Sequence, residues 1–195
     1  MILLARHGET EWNVERRMQG RKDSPLTGRG QRQAHAMAAL VRSLAQRDPG
    51  PWRVITSPLG RAHATAGIIA AAAGLSLEAD DRLMEVSCGD WEGRLWAEVG
   101  AGVPATAASR RWIFNAVGGE SYEEVEDRVA NFLASVEPEP HRRLVVVSHG
   151  VSGRILRGVY AGLTQEAVTE LDVPQDAVYR LQNGQIDRFD CEPVE

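Results

Sequence analysis

Two histidines, each followed by glycine and each standing directly behind an apolar run, carry the reactive chemistry of this sequence. The first lies in Arg6-His7-Gly8-Glu9-Thr10, after Met1-Ile2-Leu3-Leu4-Ala5. The second lies in Ser148-His149-Gly150, after Leu144-Val145-Val146-Val147. Arg6 adjoins His7, and Arg61 falls in the first turns of a predicted helix. Two guanidiniums, two imidazoles and nearby helix N-termini suit a compact, doubly charged anion, and phosphate fits that description best. The planar guanidinium fork binds two phosphate oxygens at once, which lysine cannot do. Imidazole, with an unperturbed pKa near ~6.5, is largely neutral at pH 7 and is a competent nucleophile. Attack on phosphorus would give a phosphohistidine and split one displacement into two easier steps. The arginines and the second histidine would stabilise the charge on the equatorial oxygens. Glu85, closing Leu83-Met84-Glu85, is the best acid for the leaving alkoxide, provided that it holds a proton near pH 7. The scheme requires no metal and no cofactor.

For this chemistry to occur in one place, the two apolar runs must be neighbouring strands that deliver both histidines to the carboxyl edge of one sheet. The rest of the chain supplies such a sheet. Thr27 can cap a helix running to about Arg47, with Ala34, Met37, Val41 and Leu44 on one face. Trp52–Thr56 reads as a strand leading into Ser57-Pro58, where a serine N-cap and a proline at the first helical position signal a helix from Leu59 to Ala73, stopped by Gly74. Leu77–Ala79 is a short strand. Ser121-Tyr122-Glu123-Glu124 is a capping box opening a helix with Val125, Val129, Phe132 and Val136 on one face. A further helix runs from about Val151 to Ala161. Ala177–Leu181 and Gln185–Phe189 flank Asn183-Gly184, a strong hairpin signal. This alternation predicts an α/β fold: a three-layer α/β/α sandwich whose mostly parallel central sheet has an antiparallel edge. The polar stretch from Thr10 to Thr27 reads as a functional loop. The Val86–Gly119 segment reads as an irregular cap over the sheet edge, with a short helix near Thr106 to Phe114.

At 195 residues the chain suits one domain, residues 1–195, with the cap as an insert. A formal net charge of -5 argues against a nucleic-acid partner, and no apolar segment reaches the ~20 residues that span a bilayer. Two cysteines are too few for a disulfide framework, and the first apolar run lacks a preceding basic stretch, so the expected compartment is the cytoplasm. A homodimer is left open, since the acidic exterior shows no obvious apolar dimer face.

The motif set is similar to that of the histidine phosphatase superfamily, which contains the cofactor-dependent phosphoglycerate mutases. The resemblance begins at Arg6–Thr10 with Asn13. It continues through Gln19-Gly20, Asp23–Thr27, Gly30, Ser57–Ala62, Glu85 with Gly89–Gly93, Gly118–Ser121 and Ser148–Gly150. These blocks stand in family order over nearly the whole chain. The resemblance implies a phosphoglycerate mutase-like fold with His7 as the phosphorylated nucleophile. It implies Glu85 as proton donor and later base, with Arg6, Arg61 and His149 forming the phosphate pocket. Asn13 matches a position that contacts the transferring phosphoryl group, and Thr10, Gln19, Gly20 and Gly150 match positions lining the pocket.

Other candidates carry less. His35, His63 and His141 suit surface or packing roles, Asp80-Asp81 reads as a turn rather than a metal pair, and Trp91, Trp96 and Trp112 read as packing residues under the cap. The leading expectation is a phosphatase acting on a small phosphate ester of the sugar phosphate, nucleotide-like phosphate or phosphoserine class. A phosphoglycerate mutase is the nearest rival. Mutases of the family carry a longer insert between the acid and the second histidine, and the short one here leaves little to seal the site against water. Arg110-Arg111 keeps that rival alive as a grip for a carboxylate. A module that binds a phosphorylated ligand without turnover is the third reading.

Overall fold

A computed structural model describes residues 1–100, 110–138 and 141–194. In chain order these form β1 (Ile2–Arg6), α1 (Glu11–Val14), α2 (Gly28–Arg47), β2 (Arg53–Thr56), α3 (Gly60–Ala73) and β3 (Leu77–Ala79). There follow α4 (Trp96–Val99), α5 (Tyr122–Ser135), β4 (Leu144–Ser148), α6 (Gly150–Ala161), α7 (Gln165–Glu170), β5 (Ala177–Gln182) and β6 (Gln185–Asp190). The strands make one sheet of order β3-β2-β4-β1-β5-β6. The first four are mutually parallel, and β5 runs antiparallel to both β1 and β6.

The layering follows from the period-2 alternation of buried strands. Ile2 and Leu4 of β1 and Leu144 and Val146 of β4 turn to one face, where they join Val125, Val129 and Phe132 of α5 and Ile155 and Leu156 of α6. Leu3 and Ala5 with Val145 and Val147 turn to the other, against Met37 and Val41 of α2 and Ala62, Ala66 and Ile69 of α3. Each fully buried Leu, Ile or Val contributes about 1.5–3 kcal/mol. A slip of one residue in β1 would exchange the two faces, so its register is strongly held.

Local signals act where they were expected. Thr27 caps α2 through Gly30 N–H, the Ser121–Glu124 box opens α5, and Gly74 ends α3 in the left-handed region at φ 67°. Asn183 and Gly184 both have positive φ, 52° and 74°, which is the two-residue hairpin geometry.

The structure also corrects several boundaries. Ser57 is not the N-cap of α3. That helix starts at Gly60 behind Leu59, which gives no side-chain cap, and Ser57 Oγ accepts from Leu59 N–H at 3.2 Å, just ahead of the helix, while also meeting His149. The Thr10–Thr27 loop contains α1, capped by Thr10 in a reciprocal box with Asn13, and the Thr10↔Leu26 bridge closes its ends. The expected helix over 106–114 falls partly outside the described residues, and Arg110–Asn115 form a 3₁₀ helix. The six-residue α7, capped by Thr164, was not anticipated.

Candidate active site

The pairing of β1 with β4 matches Arg6 to Ser148, so His7 and His149 leave the sheet side by side. His7 N–H donates to the Ser148 carbonyl at 3.1 Å, and the two ring centroids lie 5.2 Å apart. Both imidazoles are buried.

The two rings are held differently. His7 Nδ1 sits 2.8 Å from the Gly8 carbonyl, which can only accept. The ring proton therefore belongs on Nδ1, and Nε2 keeps its lone pair. Arg61 Nε donates to that lone pair at 3.3 Å. His149 Nε2 lies 2.7 Å from Ser57 Oγ, while its Nδ1 is buried with no hydrogen-bond partner among the described residues. Burial, with the charges of Arg6 and Arg61 beside it, lowers the His7 pKa well below the usual imidazole value. His149 is lowered in the same way by burial, then by Arg61, His7 and Arg6. Both rings are therefore neutral at pH 7.

Arg61 comes from the first turn of α3 and is fully enclosed. Its Nη1 donates to Asp23 at 2.9 Å and to the Lys22 carbonyl at 2.8 Å, and Nη2 donates to the Gly20 carbonyl at 2.8 Å. Asp23 also accepts from the Arg61 backbone N–H, supplying the helix cap that Leu59 does not. A loop carboxylate thus both caps α3 and aims its arginine.

Glu85 does the corresponding work at α6. Its Oε2 accepts from Val151 N–H at 3.1 Å, and its Oε1 from Ser152 N–H and Val86 N–H, both at 3.0 Å. A carboxylate at a helix N-terminus meets unpaired amides and the positive end of the dipole. A Cβ built on Gly150 would lie 3.6 Å from the Arg6 guanidinium and 3.7 Å from Glu85 Oε2, so these two groups converge on that glycine. Arg6 is anchored by Nη1 on the Val173 carbonyl at 2.7 Å, and its Nε has no partner among the described residues.

The remaining expected positions sit around this centre. Thr10 N–H donates to Asn13 Oδ1 at 3.1 Å, and Thr10 Oγ1 accepts from Asn13 N–H. Gly20 touches Arg61 through its carbonyl. Gln19 is buried, and its Oε1 accepts from Ser24 at 3.4 Å. Gly8 and Gly30 are needed for close approach, because a Cβ on either would collide with backbone of the other segment. Two acidic residues of the quoted blocks brace the cap: Glu92 accepts from Arg21 N–H and Cys88 N–H, and Glu120 from Ser87 N–H and Arg128. His35, His63 and His141 are exposed, and the Asp80 carboxylate is occupied by Arg82.

These blocks, in order and converging on one sheet edge, match a family model for the histidine phosphatase superfamily (branch 1) over residues 2–188. The chain belongs to the histidine phosphatase superfamily. A probable phosphoglycerate mutase, GpmB of Salmonella paratyphi C, is 38% identical over 196 residues, covering 97% of this chain and 84% of that one. The mycobacterial glucosyl-3-phosphoglycerate phosphatase Rv2419c, in complex with VO3, superposes with a TM-score of 0.77 at 32% identity, covering 92% of each chain. Bacillus stearothermophilus YhfR gives 0.76 at 28% identity, covering 95% of this chain and 93% of that one. These two solved structures share this chain's fold nearly end to end.

The sequence reading missed Ser57, Asp23 and Gln175 as parts of the site. Gln175 Nε2 donates to the His7 carbonyl at 3.2 Å and to Asn13 Oδ1 at 3.0 Å from a loop assigned no role. A lone glutamine in a loop carries no periodicity or motif to mark it.

Proposed function

We propose that this protein is a phosphatase of small phosphate monoesters, working through a phosphohistidine on His7 in a scheme that needs no metal. The observation that carries the reading is the state of His7: a neutral buried ring, proton fixed on Nδ1 by Gly8, with a free-base Nε2 facing Arg61. As the Arg61 Nε–H passes from the His7 lone pair to a phosphate oxygen, Nε2 attacks phosphorus, while Arg6 and the open Nδ1 of His149 take the other phosphate oxygens. The phosphorus–oxygen bond breaks, and Glu85 gives its proton to the leaving alkoxide. Glu85 then takes a proton from water, whose oxygen displaces His7 and releases inorganic phosphate.

The similarity to the mycobacterial glucosyl-3-phosphoglycerate phosphatase supports hydrolysis. The GpmB similarity supports the mutase rival, which would return the phosphoryl group to a phosphoglycerate. The test is inorganic phosphate release from a panel of monoesters in EDTA, with His7→Ala beside it. Release that survives EDTA and vanishes in the variant is expected. Interconversion of 3- and 2-phosphoglycerate, primed with bisphosphoglycerate and without net release, would replace this reading with the mutase.

A further inference from the structure

Beside the phosphate site lies a cavity of about 400 Å³, the size of a site for a small organic ligand. Its wall is built by Trp96, Trp112, Phe114, Val151, Ile155 and Val168. Trp112 packs against Trp96 edge to face at 6.3 Å between centroids, and Trp96 is 52% exposed at the rim. The sequence reading took both tryptophans as packing residues. Trp112 does pack on the core, and both also present ring surface to the cavity.

The cavity joins the catalytic edge through two residues. Val151 lines it and gives its N–H to Glu85 Oε2, and Val173 lines it and gives its carbonyl to Arg6. The leaving oxygen of a phosphate held at His7 must lie within reach of Glu85 to be protonated. A group attached to that oxygen and running past Val151 would enter this cavity. The charged side chains in its wall already serve the protein: Arg154 donates to the Thr169 carbonyl at 3.3 Å, and Asp172 pairs with Arg157 and Arg188. What faces an incoming group is mainly apolar and aromatic.

We propose that this cavity is the leaving-group site and that the substrate is the phosphate monoester of an apolar, aromatic-ring-bearing alcohol. Aromatic walls take such a ring by stacking and burial. The proposal deepens the phosphatase reading and rests on it for the direction of the leaving group.

The probes are 3-phenylpropyl phosphate and propyl phosphate, whose alcohols have closely similar acidity, so a difference in rate reports the ring and not the chemistry. The expected ratio of kcat/KM is at least about tenfold in favour of the phenyl compound. Trp96→Ala, at an exposed rim position that does not endanger folding, is expected to lower that ratio several-fold. Binding of the corresponding non-hydrolysable phosphonates by calorimetry, with the same expected order, separates the two questions. Equal affinities for the two phosphonates, or a ratio unchanged in Trp96→Ala, overturns the leaving-group site. Preferential phosphonate binding without turnover of either ester upholds the cavity and instead removes the phosphatase reading.

Discussion

Arg61 donates its Nε–H to the lone pair of His7 Nε2 across 3.3 Å while both its terminal nitrogens are held by Asp23, Lys22 and Gly20. The guanidinium is thus fixed in plane beside the nitrogen proposed to attack phosphorus. Fixed donors aimed at developing charge cost no reorganisation when the reaction occurs. Arg61→Lys keeps the charge and loses the fork and its three anchors. Its kcat on a phosphate monoester is expected to fall by about two to three powers of ten. A steady-state kcat within threefold of the parent enzyme would mean that charge alone suffices.

Gln175 decides which way Asn13 points. Asn13 Oδ1 accepts from both Thr10 N–H and Gln175 Nε2, so its amide nitrogen is turned away as a donor. Gln175→Ala removes one of these bonds, worth about 1 kcal/mol, and kcat/KM is expected to drop severalfold, mainly through KM. Gln175→Glu sets a carboxylate against the Asn13 oxygen and is expected to cost more than alanine. The KM series over the two variants checks the order.

Gly8 and Gly30 bring the nucleophile loop and the start of α2 into backbone contact. A Cβ at position 8 would lie 2.2 Å from the Gly30 carbonyl oxygen, far closer than van der Waals contact, and backbone cannot swing aside as a side-chain end can. Gly8→Ala is expected to lower unfolding stability by about 1–3 kcal/mol. Denaturant melts followed by tryptophan fluorescence read this directly.

The two buried imidazoles also set a pH dependence. Each has a folded-state pKa lowered by burial and by the arginine charges, below the unfolded value near ~6.5. Between the two values the unfolded chain binds the extra proton and the folded chain does not. The stabilisation from neutral burial is therefore full above the unfolded value and is lost as the pH falls below it. The loss is about 1.4 kcal/mol per pH unit for each histidine until the folded-state value is reached. Thermal unfolding between pH 7 and pH 5 is expected to have a shallower slope in His149→Gln than in the parent protein.

What the sequence revealed was what acts locally or through a repeated pattern. The Thr27 and Ser121 caps, the Gly74 stop and the Asn183-Gly184 hairpin need only their immediate neighbours. The paired histidines were legible because two similar strand ends imply one edge. Ser57 shows the limit: its Oγ still accepts from Leu59 N–H at 3.2 Å, as a helix-start serine would, but it also meets the buried His149 ring, a partner 92 residues away that no local signal reveals. Asp23 and Gln175 were invisible for the same reason. Their partners, Arg61 and Asn13, are distant in sequence, and only the assembled fold brings them together.

The sheet order has a consequence for synthesis. β1 is made first, yet both its neighbours, β4 and β5, belong to the last third of the chain. Until those strands leave the ribosome, Ile2-Leu3-Leu4-Ala5 has two open edges and the His7 ring has no companion. A nascent or stalled chain thus exposes a sticky apolar strand, an invitation to chaperones or to aggregation.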